Sequence, residues 1–85
     1  MDHHFLTVDS VVVDLLFQLS KEDKQYIQKI EESELFKLHF ALGMSIRNKY
    51  GLWAGNQKLL DDCGSNEPDN ASSVIIKRLW QELNN

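Results

Sequence analysis

Residues 38–53, LHFALGMSIRNKYGLW, decide the fold, because they set a histidine and an arginine within the widest apolar arc of the chain. At about 100° per residue from Leu35, a helix over this stretch has one continuous apolar side. That side contains Leu38, Leu42, Ile46, His39, Tyr50, Gly43, Phe36, Arg47 and Phe40. A buried guanidinium without partners would cost several kcal/mol, so we expect Arg47 to have internal partners.

The apolar periodicity predicts a single all-α domain over residues 1–85. We expect a compact bundle of about five helices around a long central helix at about residues 33–50. Ser20, Ser33, Asn56 and Asp69 are predicted to begin helices, and Gly51 and Gly64 to end them. The first helix runs over residues 7–19. Residues 1–6 are expected to be flexible, and residues 64–68 form the one clear loop.

Length and charge exclude several classes of function. A chain of 85 residues with 42% hydrophobic content has one core and is too small for a deep substrate cavity. Its formal charge of -4 argues against nucleic acid or an anionic membrane as the main partner, because either calls for a basic face. We therefore expect neither nucleic-acid binding nor membrane binding.

Cysteine usage and apolar run length indicate the compartment. The chain has one cysteine, Cys63, so no internal disulfide and no cysteine zinc site is possible. The N-terminus lacks the pattern of a signal peptide, and Asp14 interrupts the longest apolar runs. These features predict a cytoplasmic protein.

Two sequence blocks carry a resemblance to a known family. IRN-x-x-GLW occurs at residues 46–53, after LHFALG. PD-x-AS-x-x-II-x-x-LW occurs at residues 68–80, after an Asn that is followed by LL and a Cys. This combination, over roughly residues 20–83, resembles a family of small bacterial domains of unknown function, although the family pattern has a glycine where this chain has Ala41. The resemblance implies a compact helical fold and a bacterial or phage origin, and it transfers no activity.

His39, Arg47 and Asn48 are the candidate ligand-binding residues. His39 and Arg47 lie a little over two helical turns apart with Gly43 between them, which suggests an anion or nucleotide site. Alternatively, Arg47 is a structural clamp on helix-end carbonyls or on Asp69, and a backbone carbonyl satisfies His39. We favour the clamp, because small helical domains often use one buried arginine to tie loops together.

Val13, Phe17 and Trp53 are the candidate interface residues. The first helix already has a complete inward face, so Val13 and Phe17 have no obvious place in a core of this size. The simplest explanation for these two side chains is a weak homodimer that forms through this helix. The alternative is that they form a docking face for another protein. Trp53, in a turn between glycines, is either an interface anchor or packs against the central helix.

Other combinations of reactive side chains give weaker patterns. Cys63 and His39 as a thiol and base pair have no supporting spacing, and the acidic residues 61–69 lack the pattern of a calcium loop. Met1, Asp2 and His3 form a possible copper or nickel chelate, but short termini with histidines are usually disordered. No catalytic residue, metal or cofactor is therefore predicted.

The hypothesis that results is a non-enzymatic protein-binding domain of accessory, regulatory or immunity type, with an unidentified protein as its partner. The alternative is a small anionic-ligand, nucleotide-binding or enzymatic domain that uses His39 and Arg47. An open concave site that exposes both side chains would favour the alternative, whereas burial with internal partners would favour the first hypothesis.

Overall fold

A computed structural model describes residues 4–85, which contain helices and no strands. The elements in chain order are α1 (Val8–Gln18), α2 (Lys21–Lys29), a 3-10 helix (Glu32–Leu38), α3 (Ala41–Lys49), α4 (Gln57–Cys63) and α5 (Pro68–Leu83). The prediction of an all-α bundle is confirmed. The hypothetical copper or nickel site at residues 1–3 lies outside the described residues.

Local capping chemistry places most of the helix ends. Thr7 and Ser20 accept hydrogen bonds from the backbone N–H groups of Ser10 and Asp23. Gly64 ends α4 in the left-handed conformation, with a φ of 78°. The last helix begins at Pro68 rather than after Asp69, because the fixed φ of proline suits the first helical position and its missing N–H costs nothing there.

The centre of the domain is α5, not the predicted helix at residues 33–50. It contacts all four other α-helices and the 3-10 helix. Ala71, Ile75 and Leu79 are fully buried along it. Because the buried side of α5 is wide, the other elements pack around it, and its exposed side carries the charged residues.

The predicted continuous helix over residues 33–50 is wrong, because the chain forms a 3-10 helix to Leu38 and restarts as α3 at Ala41. In a 3-10 helix each residue advances by about 120°, so Leu35 and Leu38, three residues apart, share the inward side. Phe36 and Phe40, which the α-helical periodicity placed on the buried arc, are instead 70% and 78% exposed. Packing on α5 therefore selects the tighter winding.

Asn56 joins three segments through one buried amide. Its nitrogen donates to the backbone oxygens of Phe5 and Tyr50, both at 2.8 Å, and its oxygen accepts from the N–H of Leu59. The ring of Phe5 also meets Tyr50 edge-on, with centroids 5.2 Å apart. These contacts hold Phe5 against the end of α3 and the start of α4, while the flexibility expected for residues 1–6 stays a prediction.

A buried tyrosine joins α1 to the end of α3. The Tyr50 hydroxyl donates to Asp14 at 2.5 Å, and the ammonium of Lys49 lies 3.3 Å from the same carboxylate oxygen. The hydrogen bond from Tyr50, assisted by Lys49, lowers the pKa of Asp14. Burial and the nearby carboxylate raise the pKa of Tyr50. The ionised carboxylate is thus stabilised in the folded state.

The hydrogen bond between Tyr50 and Asp14 predicts that Tyr50→Phe changes the free energy of unfolding by an amount that depends on pH. At pH 7 the variant should lose about 1–2 kcal/mol of unfolding free energy, because a hydrogen bond to a charged group is removed. The pKa of Asp14 is lower in the folded state than in the unfolded chain, where it is about 4. The ionised carboxylate therefore stabilises the fold fully above about pH 4, and this stabilisation is lost as the pH falls through the folded-state pKa. Urea unfolding at pH 7, 5 and 3 should therefore show the difference from wild type narrowing toward pH 3. A difference that stays constant would contradict the coupling.

Candidate functional site

Arg47 is a buried charge at the junction of α3, α5 and the end of the 3-10 helix. Its side chain has two hydrogen bonds: Nη1 donates to the Ser72 hydroxyl at 2.9 Å, and Nη2 donates to the backbone oxygen of His39 at 3.4 Å. The Ser72 hydroxyl in turn donates to the backbone oxygen of Asp69 at 2.9 Å. Because Arg47 is only 3% exposed, these bonds replace its hydration.

The remaining contacts of the guanidinium are electrostatic. Nε lies 3.5 Å from the Asp69 carboxylate, which is close enough for an ion pair. It has no hydrogen-bond partner among the described residues. The Trp53 ring lies over the guanidinium at 5.6 Å. Asp69 is largely solvated, so its attraction is screened, and the two hydrogen bonds hold Arg47 more firmly than the ion pair does.

Gly43 provides the space that the guanidinium fills. A Cβ atom at this position would lie 2.8 Å from Nη1 of Arg47, closer than non-bonded contact allows. The sequence analysis interpreted Gly43 as an opening between His39 and Arg47. In the structure the arginine side chain itself occupies that space.

The three predicted ligand residues do not converge on one open site. His39 offers its backbone oxygen to Arg47, while its ring lies edge-on to the ring of Phe40, with centroids 5.2 Å apart. Asn48 is exposed on α3. Arg47 has internal partners, including the predicted contact with Asp69, which is the arrangement that a structural clamp requires.

An apolar groove of about 510 Å³ lies between the 3-10 helix and α5. Its lining residues are Glu32, Leu35, Phe36, His39, Phe40, Ser73, Ile76 and Lys77. The buried side chain of Ile76 belongs to the core, whereas the rings of Phe36 and Phe40 stand mostly in solvent. A pair of exposed aromatic rings beside a concave apolar surface is typical of a binding site.

Sequence reasoning missed this groove because it assumed the period of an α-helix. The spacing of Leu35 and Leu38 is compatible with both windings, so the sequence offered only an ambiguous signal for the 3-10 helix.

The predicted interface residues are all at the surface. Val13 and Phe17 are 55% and 85% exposed, and they are neighbours four residues apart on α1. Trp53 is 59% exposed, although its ring lies over the guanidinium of Arg47. Their role in an interface stays a prediction.

The described residues offer little reactive chemistry. Among residues 4–85, no group of three or more His, Cys, Asp or Glu side chains is placed to hold a metal ion. Cys63 is buried, and burial raises the pKa of its thiol to about 11, so the thiolate is scarce at neutral pH. No helix in this part of the chain is long and apolar enough to cross a membrane.

The chain belongs to the family described as domain of unknown function DUF6794, whose model matches residues 7–83. No curated protein and no solved structure matches the chain. The family match confirms the predicted membership in a family of small domains of unknown function. It extends from the N-cap of α1 to the last residue of α5, so every element described above lies within it.

Replacing the buried arginine should destabilise the fold far more than replacing its exposed neighbour. We expect Arg47→Met to lose about 2–3 kcal/mol of unfolding free energy, because the bonds to Ser72 and His39 disappear. Lys49→Met, on the same helix, is the matched control and should lose at most about 1 kcal/mol, since its ion pair is half exposed. Urea unfolding at pH 7 measures both values. Equal stability of wild type and Arg47→Met would contradict the clamp.

Gly43→Ala should be destabilising only while Arg47 is present. Alanine normally favours a helix by about 1 kcal/mol over glycine, but here its methyl group would displace Nη1 from Ser72. We expect Gly43→Ala to destabilise wild type and to be neutral or stabilising in an Arg47→Met background. A double-mutant cycle gives the coupling energy. Equal effects in the two backgrounds would show that Gly43 and Arg47 are not coupled.

Proposed function

We propose that this domain is a non-enzymatic protein-binding module that contacts its partner through the groove between the 3-10 helix and α5. The observation that carries the proposal is the exposure of Phe36 and Phe40 beside an apolar concave surface. We assign the domain an accessory, regulatory or immunity-type role in the cytoplasm, with a protein rather than nucleic acid or a membrane as its partner.

The energetics of the two rings support binding at this position. Covering an exposed phenylalanine side chain contributes about 1.5–3 kcal/mol, so a partner that covers both gains a substantial part of a micromolar affinity. The groove floor is already ordered, because Leu35 and Ile76 pack on the core. A preformed surface reduces the entropy lost on association.

The alternative, a site for an anionic ligand or nucleotide that uses His39 and Arg47, has weaker support. A ligand phosphate or carboxylate would have to displace Ser72 and the His39 carbonyl from the guanidinium. Breaking contacts of a buried charge costs free energy that would be subtracted from ligand binding. The internal engagement of Arg47 therefore favours protein binding.

A matched pair of variants tests the groove. Phe40→Glu places a charge at the groove, and Phe17→Glu places the same charge on α1, at a ring that is similarly exposed, 85% against 78%. We expect in-cell cross-linking of the tagged chain in its native host to give partner adducts that fall at least about tenfold in Phe40→Glu and remain in Phe17→Glu. Melting curves check that both variants fold.

Three other outcomes of the cross-linking experiment would each favour a different interpretation. Adducts that are unchanged in Phe40→Glu would overturn the groove as the binding site. Loss of adducts in Phe17→Glu alone would move the interface to α1, where the sequence analysis placed it. Specific adducts with a phosphate-containing small molecule that disappear in Arg47→Lys, with the fold intact, would favour the ligand-binding alternative.

A further inference from the structure

We propose that the groove is occupied by a second copy of this chain, with each copy inserting Phe40 into the groove of the other across a two-fold axis. The inference rests on the proposed function, because it names the partner of the same groove.

Phe40 gives the groove face a shape that can pair with itself. This residue lines the groove and is also 78% exposed, so a projection and a recess lie side by side on one face. A two-fold interface requires this arrangement, because the same patch must supply both halves of each contact. The ring of Phe40 from a second copy would lie over Leu35 and Ile76, beside the ring of Phe36.

The charged residues at the groove rim balance each other. Glu32 and Lys77 are the oppositely charged residues that line the groove, and they pair with each other at 3.2 Å. Their charges therefore cancel at the rim, although the whole chain carries -4. The rim therefore has no excess charge that would attract a strongly basic or strongly acidic partner. A second copy needs no such excess, because Glu32 of one copy and Lys77 of the other have opposite charges.

The surface beside the exposed pair on α1 is a smaller recess than the groove. Val13 lines a recess of about 170 Å³ with Asp9 and Arg78, whereas the groove measures about 510 Å³. Asp9 forms an ion pair with Arg78, so these two charges already have partners within one copy. The larger groove is therefore the better receptor for a phenylalanine ring.

The size of the groove limits the strength of the contact. A standard interface buries about 800 Å² on each partner, which is about 15% of the 5468 Å² accessible surface of this chain. Eight residues line the groove, fewer than the roughly 20–30 that each partner contributes to a standard interface. We therefore expect a concentration-dependent dimer with a dissociation constant of about 10–100 μM, at the weak end of specific contacts.

Sedimentation equilibrium tests the inference on the purified full chain. We expect wild type to dimerise between about 10 μM and 1 mM, and Phe17→Glu to dimerise with a dissociation constant within about twofold of wild type. Phe40→Glu should raise the constant at least about tenfold. The two variants have the same net charge, so a difference between them reports position. If Phe40→Glu fails to fold, Phe36→Glu replaces it.

A dilution series of amide NMR spectra of wild type locates the contact without a mutation. Concentration-dependent shifts should centre on Ser73 and Lys77 and should be absent around Val13 and Phe17. Shifts confined to α1, or a wild-type chain that stays monomeric up to about 1 mM, would overturn the second copy as the occupant. If adducts in the cell still depend on Phe40 in that case, the proposed function stands with a different protein in the groove.

Discussion

The fold depends on one buried guanidinium. Arg47 reaches from α3 to Ser72 and Asp69 on α5 and to the backbone oxygen of His39 at the end of the 3-10 helix, so three elements meet at one side chain. This contact requires a glycine at position 43 and a hydroxyl at position 72. A charge removed from water must have such partners, and their positions therefore limit how α3 and α5 can pack.

The same contact helps to define the groove. Because Arg47 holds the backbone oxygen of His39, it fixes the chain at the point where the 3-10 helix ends and α3 begins. Phe40 follows directly, and its ring is directed outward beside α5. Arg47 has no direct part in the proposed interface, but it positions Phe40, whose ring we propose to be the centre of that interface.

Several of the polar side chains that the sequence analysis singled out are engaged within the fold. Arg47 and Asn56 are buried with internal partners, and burial raises the pKa of the Cys63 thiol. Apolar rings, in contrast, are left at the surface on the 3-10 helix and on α1. An enzyme active site normally has a few polar side chains that converge in its cleft, whereas Arg47 and Asn56 are engaged inside the fold, and this contrast underlies the proposal of protein binding.

The sequence by itself determined the features that depend on neighbouring residues: the all-α class, the caps at Ser20 and Asn56, and the need of Arg47 for internal partners. Tertiary structure decided the winding of residues 32–40. The α-helix and the 3-10 helix differ by only about 20° per residue, and the leucine spacing fits both. Packing against α5 selects between them, and it therefore decides that Phe36 and Phe40 face solvent rather than the core.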